Sequence, residues 1–228
     1  MKVSIIIPIY RENDIDNYLK KLLEETKGFH CEVIVAVGLD EEPDELNINT
    51  FLDKKDVFYT FSKKGRGIQL KKGVEVAKGD IIIFLHADTY FTKGQLEDIL
   101  INVNRFDYGA FRLKINNERF IFRIIEFFVY IRTRLLKLPY GDQTIFIKRD
   151  KLIEIGGVKG IPLFEDVDLM RRCKSRYFNF YLSSHYSYTS DRRWRKNGVL
   201  KTTMKNFYML FLYLIGVDTD RLYKVYYK

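Results

Sequence analysis

Between Ile81 and Leu85 the chain has no polar residue, and His86 closes the run. A strand of that composition is buried on both faces, which places it inside a sheet covered by helices on either side. Asp88 follows two residues after His86. It would then sit at the carboxyl end of the strand, where open α/β sheets bind their ligands. A hard oxygen ligand there suits Mg²⁺ or Mn²⁺ held against phosphate oxygens. Asp also caps turns after strands, so the local sequence leaves both readings open.

The flanking sequence completes a parallel sheet. Val3 to Ile9 is a second buried run, followed by a helical pattern at Ile15, Tyr18, Leu19, Leu22 and Leu23 with Asn13 or Asp14 as N-cap. Glu32 to Val37 reads as the next strand, closed by Gly38. Strand, helix and strand joined by short connections form a right-handed βαβ unit. After an acidic loop, Asp40 to Glu45, a weaker strand at Val57 to Phe61 leads into Gly65-Arg66-Gly67. Two glycines around an arginine at a helix start put backbone N–H groups and a guanidinium where a phosphate can bind.

Beyond the central strand the pattern predicts a helix over Lys93 to Val103 and a strand over Ala110 to Ile115. Phe120 to Leu138 reads as a basic amphipathic helix, able either to lie on a membrane or to pack on its own domain. Pro139 to Arg149 is a turn, with Asp142 and Gln143 in it, feeding a strand. A helix over Asp150 to Ile155 ends at Gly156 and Gly157. The next helix opens with Glu165 and Asp166, acids that the helix dipole favours in a first turn whatever their role. Asn179 to Ser184 reads as a strand, Ser190 to Gly198 as a polar loop, and Val199 to Ile215 as an aromatic helix.

With 228 residues, one well-buried α/β domain is expected. The formal charge of +9 favours anionic partners without choosing among nucleotides, nucleic acid and acidic membranes. Basic residues are scattered and no nucleic-acid motif is present, so no nucleic-acid partner is expected. Cys31 and Cys173 have no metal or disulfide spacing and read as free thiols in a reducing compartment. Pro8, Arg11 and Glu12 arrive too soon for a signal peptide, and no run is long enough to span a bilayer. A cytoplasmic location is expected, with a peripheral place on the inner face of a membrane if the basic helix engages lipid.

Taken in order, the chain carries SIIIPIYRE from Ser4, GRGIQ from Gly65, GDIIIFLHADT from Gly79, GAFRL from Gly109 and LPYGDQTIFIKR from Leu138. IGG, PLFEDVDLMRR and TSDRRW follow from Ile155, Pro162 and Thr189. This series resembles the family 2 inverting glycosyltransferases of the GT-A fold and, among them, small bacterial members of arsenosugar-biosynthesis type. The resemblance implies a Rossmann-like, mostly parallel sheet flanked by helices, as a transferase domain over 1–195 with a C-terminal amphipathic helical extension over 196–228.

The resemblance also implies roles by position. His86 to Asp88 stands where the family has Asp-x-Asp, making Asp88 the metal and diphosphate residue, with His86 in place of the first acid. Pro8, Tyr10 and Glu12 match the segment lining the nucleotide pocket, and Arg66 a residue near base or phosphate. Gly38 and Asp40 fall in the base-contacting loop, although the acid expected directly after the second strand is replaced. Asp166 matches the catalytic base. Arg193 and Trp194 match the end of a Q-x-x-R-W element near the acceptor, with Ser190 at the glutamine position; Asp142, Gln143 and Glu165 are further acceptor candidates. The expected activity is metal-assisted transfer of a sugar from a nucleotide-sugar donor, UDP-linked by preference, to a hydroxyl on an unidentified acceptor. A catalytically degenerate protein that binds nucleotide sugars or a membrane surface is the alternative.

Overall fold

The computed structural model describes residues 1–12, 14–41 and 56–227, the side chains of Arg193 and Tyr227 excepted. Asn13 and most of the acidic loop after Asp40 lie outside the described residues. Seven strands form one sheet: β1 (Val3–Ile9), β2 (Cys31–Leu39), β3 (Val57–Lys63), β4 (Ile81–Phe84), β5 (Tyr108–Ile115), β6 (Ile145–Lys148) and β7 (Phe180–Thr189). Their order is β3-β2-β1-β4-β6-β5-β7. The first four neighbours are mutually parallel, β6 is antiparallel to β4 and β5, and β7 is parallel to β5.

The unbroken apolar runs follow from this two-sided burial. Ile5, Ile7, Val33, Val35, Ile81 and Ile83 enter one core with Leu19 and Leu22 of α1 (Ile15–Glu25) and Leu96 and Ile99 of α3 (Lys93–Ile101). The alternate residues Ile6, Ile34 and Ile82 enter the opposite core with Leu70 of α2 (Arg66–Val76), Leu152 of α5 (Arg149–Glu154) and Met170 of α6 (Glu165–Ser175). Period-two side-chain direction thus fills two layers from one run. A third, smaller cluster joins Leu113 and Ile115 of β5 to Phe122 of α4 (Phe120–Leu136). Trp194 of α7 (Arg192–Asn197) and Val199 of α8 (Val199–Leu214) pack on it, and α9 (Thr219–Tyr227) follows.

Three expectations change. The polar stretch expected to be a loop after β7 is helical in α7: Asp191 pairs with Arg195 at 2.8 Å and accepts from Asn117 at 2.6 Å. Gly38 does not end β2 but lies within it, in register with Ser62 of β3. β7 extends to Thr189, well beyond Ser184.

The parallel strands all point their carboxyl ends at one edge of the sheet. Because β6 runs the other way and pairs Ile145 with Phe84, the 3₁₀ turn Gly141–Gln143 just before it arrives at that same edge. Residues from five separate stretches of sequence are thereby gathered there.

Candidate active site

Asp166 is 8% exposed and lies in the first turn of α6. Its Oδ2 accepts from the Gly141 backbone N–H at 2.7 Å and from Arg66 Nη2 at 3.0 Å, and its Oδ1 accepts from the Val167 N–H at 2.8 Å. Arg66 also gives its Nε–H to Glu165, and its Nη1 stands 3.5 Å from His86 Nε2. Pro8, His86, Gly141, Glu165 and Asp166 line one small cavity. The end of β4, the 3₁₀ turn and the start of α6 therefore meet around the guanidinium carried at the start of α2, with the end of β1 lining the adjoining cavity.

The glycines explain how Arg66 gets there. A Cβ on Gly67 would lie 2.2 Å from the Ile161 carbonyl oxygen and 2.9 Å from Glu165 Cβ, so only glycine lets α2 close on the segment leading into α6. A Cβ on Gly141 would meet His86 Nε2 at 2.8 Å, with Arg66 Nη1 and Asp166 Oδ2 each at 3.3 Å. Gln69, buried one turn into α2, donates to the carbonyls of Ile9 at 2.6 Å and Ala36 at 2.7 Å and so ties the helix to the ends of β1 and β2. Gly38 leaves room for that side chain, whose Cδ would be 3.0 Å from a Cβ there.

Glu165 is 1% exposed. Burial pushes its carboxyl up to about 7, against the opposing pull of Arg66 and with help from the charge of Asp166. A carboxyl raised on folding stabilises most below its ordinary value of 4.5, and that stabilisation is lost as pH rises through about 7. The loss amounts to about 3 kcal/mol. Urea unfolding across this window is expected to show stability falling with rising pH in the native sequence and a nearly flat profile in Glu165→Gln. Equal slopes would show that Glu165 is not the titrating group.

Asp88 is exposed at the mouth of this edge. The loop carrying it is held by Tyr18, whose hydroxyl lies 3.0 Å from the His86 carbonyl oxygen and 2.8 Å from that of Thr89. Burial, and then the charge of Asp88, raise the Tyr18 phenol far above its ordinary range, so it stays a donor. A second polar group crowns β1 to β3. There Asp40 accepts from Tyr10 Oη at 2.8 Å, Arg11 Nη2 at 2.9 Å and Lys64 Nζ at 2.8 Å. The bonds from Lys64, Tyr10 and Arg11 hold its carboxyl well below the usual carboxylate range. Glu12 is exposed beside this group in sequence.

Among the described residues no three His, Cys, Asp or Glu side chains converge to form a metal cage. A divalent cation fits here in another way: Asp88 offers one accessible carboxylate, and Mg²⁺ or Mn²⁺ commonly completes its shell from water and substrate phosphate.

Other sequence candidates are taken up by packing or by the turn itself. Gln143 is fully buried; its Oε1 accepts from Arg132 at 2.8 Å, Thr133 at 3.0 Å and the Tyr140 N–H at 3.2 Å, and its Nε2 donates to the Phe111 carbonyl at 3.1 Å. With its amide so engaged, it shapes the turn that presents Gly141 rather than meeting an acceptor. Trp194 is half-buried, its ring 5.7 Å from that of Phe122 at 70° in the third core cluster, so part of its surface serves packing. Asp142 is half-buried, its carbonyl accepting from Ser187 at 2.8 Å. The Arg193 side chain lies outside the description. Sequence reasoning missed Gly141, Gln69, Lys64 and Tyr18. Gly141 and Gln69 lay within quoted motifs, whereas Tyr18 was indistinguishable from a core position of α1.

The comparisons with known proteins agree with this architecture. S. aureus TarS, in a structure solved in complex with UDP-GlcNAc, superposes with a TM-score of 0.61 at 18% identity, over 83% of this chain and 58% of that one. The mannosyltransferase PcManGT from Pyrobaculum calidifontis, solved in complex with GDP-Man and Mn2+, gives 0.58 at 14% identity, over 82% and 56%. In sequence, glycosyltransferase AglD of Haloferax volcanii is 28% identical over 118 residues, 48% of this chain and 19% of AglD. The chain thus spans about a fifth of that relative and somewhat over half of the two solved structures. Residues 4–161, from the first strand through the Gly141 turn to the segment that Gly67 packs against, match the family model described as "Glycosyl transferase family 2", and the chain belongs to that family.

Proposed function

We propose that this protein transfers a sugar from a nucleotide-sugar donor to an acceptor hydroxyl with inversion at the anomeric centre. The observation that carries the reading is the convergence of Arg66, His86 and Asp166 beside the Asp88 loop at the carboxyl edge of the sheet. A nucleoside diphosphate leaves readily only if its growing negative charge is met by fixed cations. Arg66 supplies one such charge, and a divalent ion held by Asp88 would supply a Lewis acid on the phosphate oxygens. Asp166 takes the acceptor's proton as the hydroxyl attacks, a single displacement that reverses the anomeric configuration.

Arg66 and the Gly141 N–H both bond Oδ2 of that base and cover it. A donor diphosphate competes for the guanidinium and so uncovers the carboxylate for the acceptor. The Tyr10, Arg11, Asp40 and Lys64 group marks the nucleoside end, with Pro8 below it and Glu12 beside it; UDP is the favoured carrier, in keeping with the UDP-GlcNAc complex of TarS. By their places in the family's motifs, Asp142 and Glu165 are assigned to the acceptor side, and Arg193 with them on sequence alone. Residues 1–195 form the transferase unit in this reading, with 196–228 as a helical extension. Peripheral attachment to an anionic membrane belongs to the same proposal, supported by the basic and aromatic composition of α4.

Thermal-shift measurements with nucleotide sugars, with and without Mn²⁺, test the reading, since a ligand bound only by the native state raises its melting temperature. A UDP-sugar is expected to raise Tm more with the ion than without it, and Asp88→Ala to remove that difference. An ion effect that persists in Asp88→Ala would exclude Asp88 as the ligand.

A further inference from the structure

Two helices carry their apolar stripe on the wrong side for a soluble fold. On α4, Phe120, Ile124, Phe127, Phe128 and Leu135 are exposed, and their spacing puts them on one face. On α8 the exposed residues Leu200, Met204, Phe207, Phe211 and Leu214 repeat every three or four positions and likewise form one face. Phe127 is 58% exposed and Phe207 68%. The buried positions of the same helices, Phe122 and Thr133 in one and Thr202 and Met209 in the other, form the narrower inward side. Apolar patches of this extent mark interaction surfaces.

The two helices adjoin. Val199 at the start of α8 and Trp194 just before it pack on the cluster containing Phe122, Ile125 and Val129 of α4. At its other end α8 reaches the active site, where Tyr213 stacks on Phe164 at 4.9 Å, the residue immediately before Glu165 and Asp166. The charge of Asp166 is among the causes that raise the Tyr213 phenol, after burial and Asp168. α8 therefore runs from the cluster that holds α4 to the start of the helix carrying the proposed base, and both helices bear exposed apolar faces.

Charge selects the occupant. Arg119, Arg134, Lys137, Arg195, Lys196 and Lys201 are exposed along this stretch. Within α4, α7 and α8 the only acid is Glu126, which is turned inward to the Ile115 N–H at 2.7 Å and to Arg123 at 2.9 Å; Glu118, exposed just before Arg119, is one acid against these six cations. A second copy of this chain would present the same cations and repel, whereas anionic lipid headgroups complement them. No described helix is long and apolar enough to cross a bilayer, so α4 and α8 would lie in its surface.

We infer that α4 and α8 together form an in-plane docking surface for an anionic lipid bilayer, which holds the Phe164 side of the active site against the membrane. The inference rests on the peripheral attachment proposed above and gives it a surface. Flotation of the full chain with phosphatidylcholine vesicles, with and without phosphatidylglycerol, tests it. Most of the protein should float with the anionic vesicles and little with the neutral ones, with release by high salt. Phe207→Glu and Phe127→Glu, both at exposed positions, should each abolish most of the flotation while leaving the melting temperature and the response to UDP-sugar unchanged. Protein left in the supernatant with anionic vesicles would overturn the inference, as would flotation unaffected by either substitution. So would a native dimer that these substitutions convert to monomer, which would identify a second copy as the occupant. A normal UDP-sugar response in unfloated protein would locate the failure in the docking surface and not in the transfer chemistry.

Discussion

Asp166→Asn is expected to lower sugar transfer by about 10²–10⁴-fold, the contribution of one well-placed general base. The substitution keeps size and shape, and the remaining carbonyl oxygen can still accept from the Gly141 N–H. What it removes is the group able to take a proton as the acceptor attacks, so kcat should fall while binding of the nucleotide is retained. Glu165 is raised in part by the charge of Asp166, so neutralising position 166 eases the ionisation of its neighbour. Turnover by nucleotide release, set beside nucleotide titration, separates the two effects. Unchanged turnover would remove Asp166 from the mechanism.

Arg66→Ala should be the most damaging single change to both folding and activity. It leaves Glu165, at 1% exposure, and Asp166, at 8%, without the cation that faces them. Removing one partner of a buried ion pair costs about 3–5 kcal/mol. The lower end applies here, because Glu165 is already raised to about 7 and can take up a proton in place of the lost partner. That route is open only below the raised value, so the destabilisation measured in urea should be smaller at about pH 5 than at about pH 8. Arg66→Lys should recover part of the stability, since a point charge replaces the cation but not its planar fork between two carboxylates. In turnover the alanine variant loses the fixed cation opposed to the leaving diphosphate, and its affinity for the donor should drop with its rate. A pH-independent stability difference would mean that Glu165 is not the group left uncompensated.

The layered framework that carries this site was legible in the sequence. The runs at Val3–Ile9 and Ile81–Leu85 announced two-sided burial because strand side chains alternate between two apolar layers, and both cores are there. The glycines around Arg66 read as a place for phosphate; Gly67 has a packing reason that the sequence did not show, its close approach to the Ile161 carbonyl. What pattern could not reach depended on long-range packing. Gln143 looked like a polar turn residue open to ligand, and only the position of α4 over it shows that Arg132 and Thr133 claim its amide. The six residues of α7 carry one apolar side chain, too few for any periodicity, and their helix is anchored by Asp191 and by Trp194 against Phe122. α8 was recognised as a helix, but its direction of burial is invisible in a one-dimensional pattern, which gives a stripe without saying which side faces out.

The central claim is that the diphosphate of a nucleotide sugar is received between the Asp88 loop and Arg66, beside Asp166. A crystal structure of the chain with UDP and Mn²⁺ tests it most directly. The account predicts the ion on the Asp88 carboxylate, the phosphates drawing Arg66 off Asp166, and the uridine near Tyr10 and Asp40. Nucleotide bound elsewhere, with Arg66 still bridging Glu165 and Asp166, would contradict it.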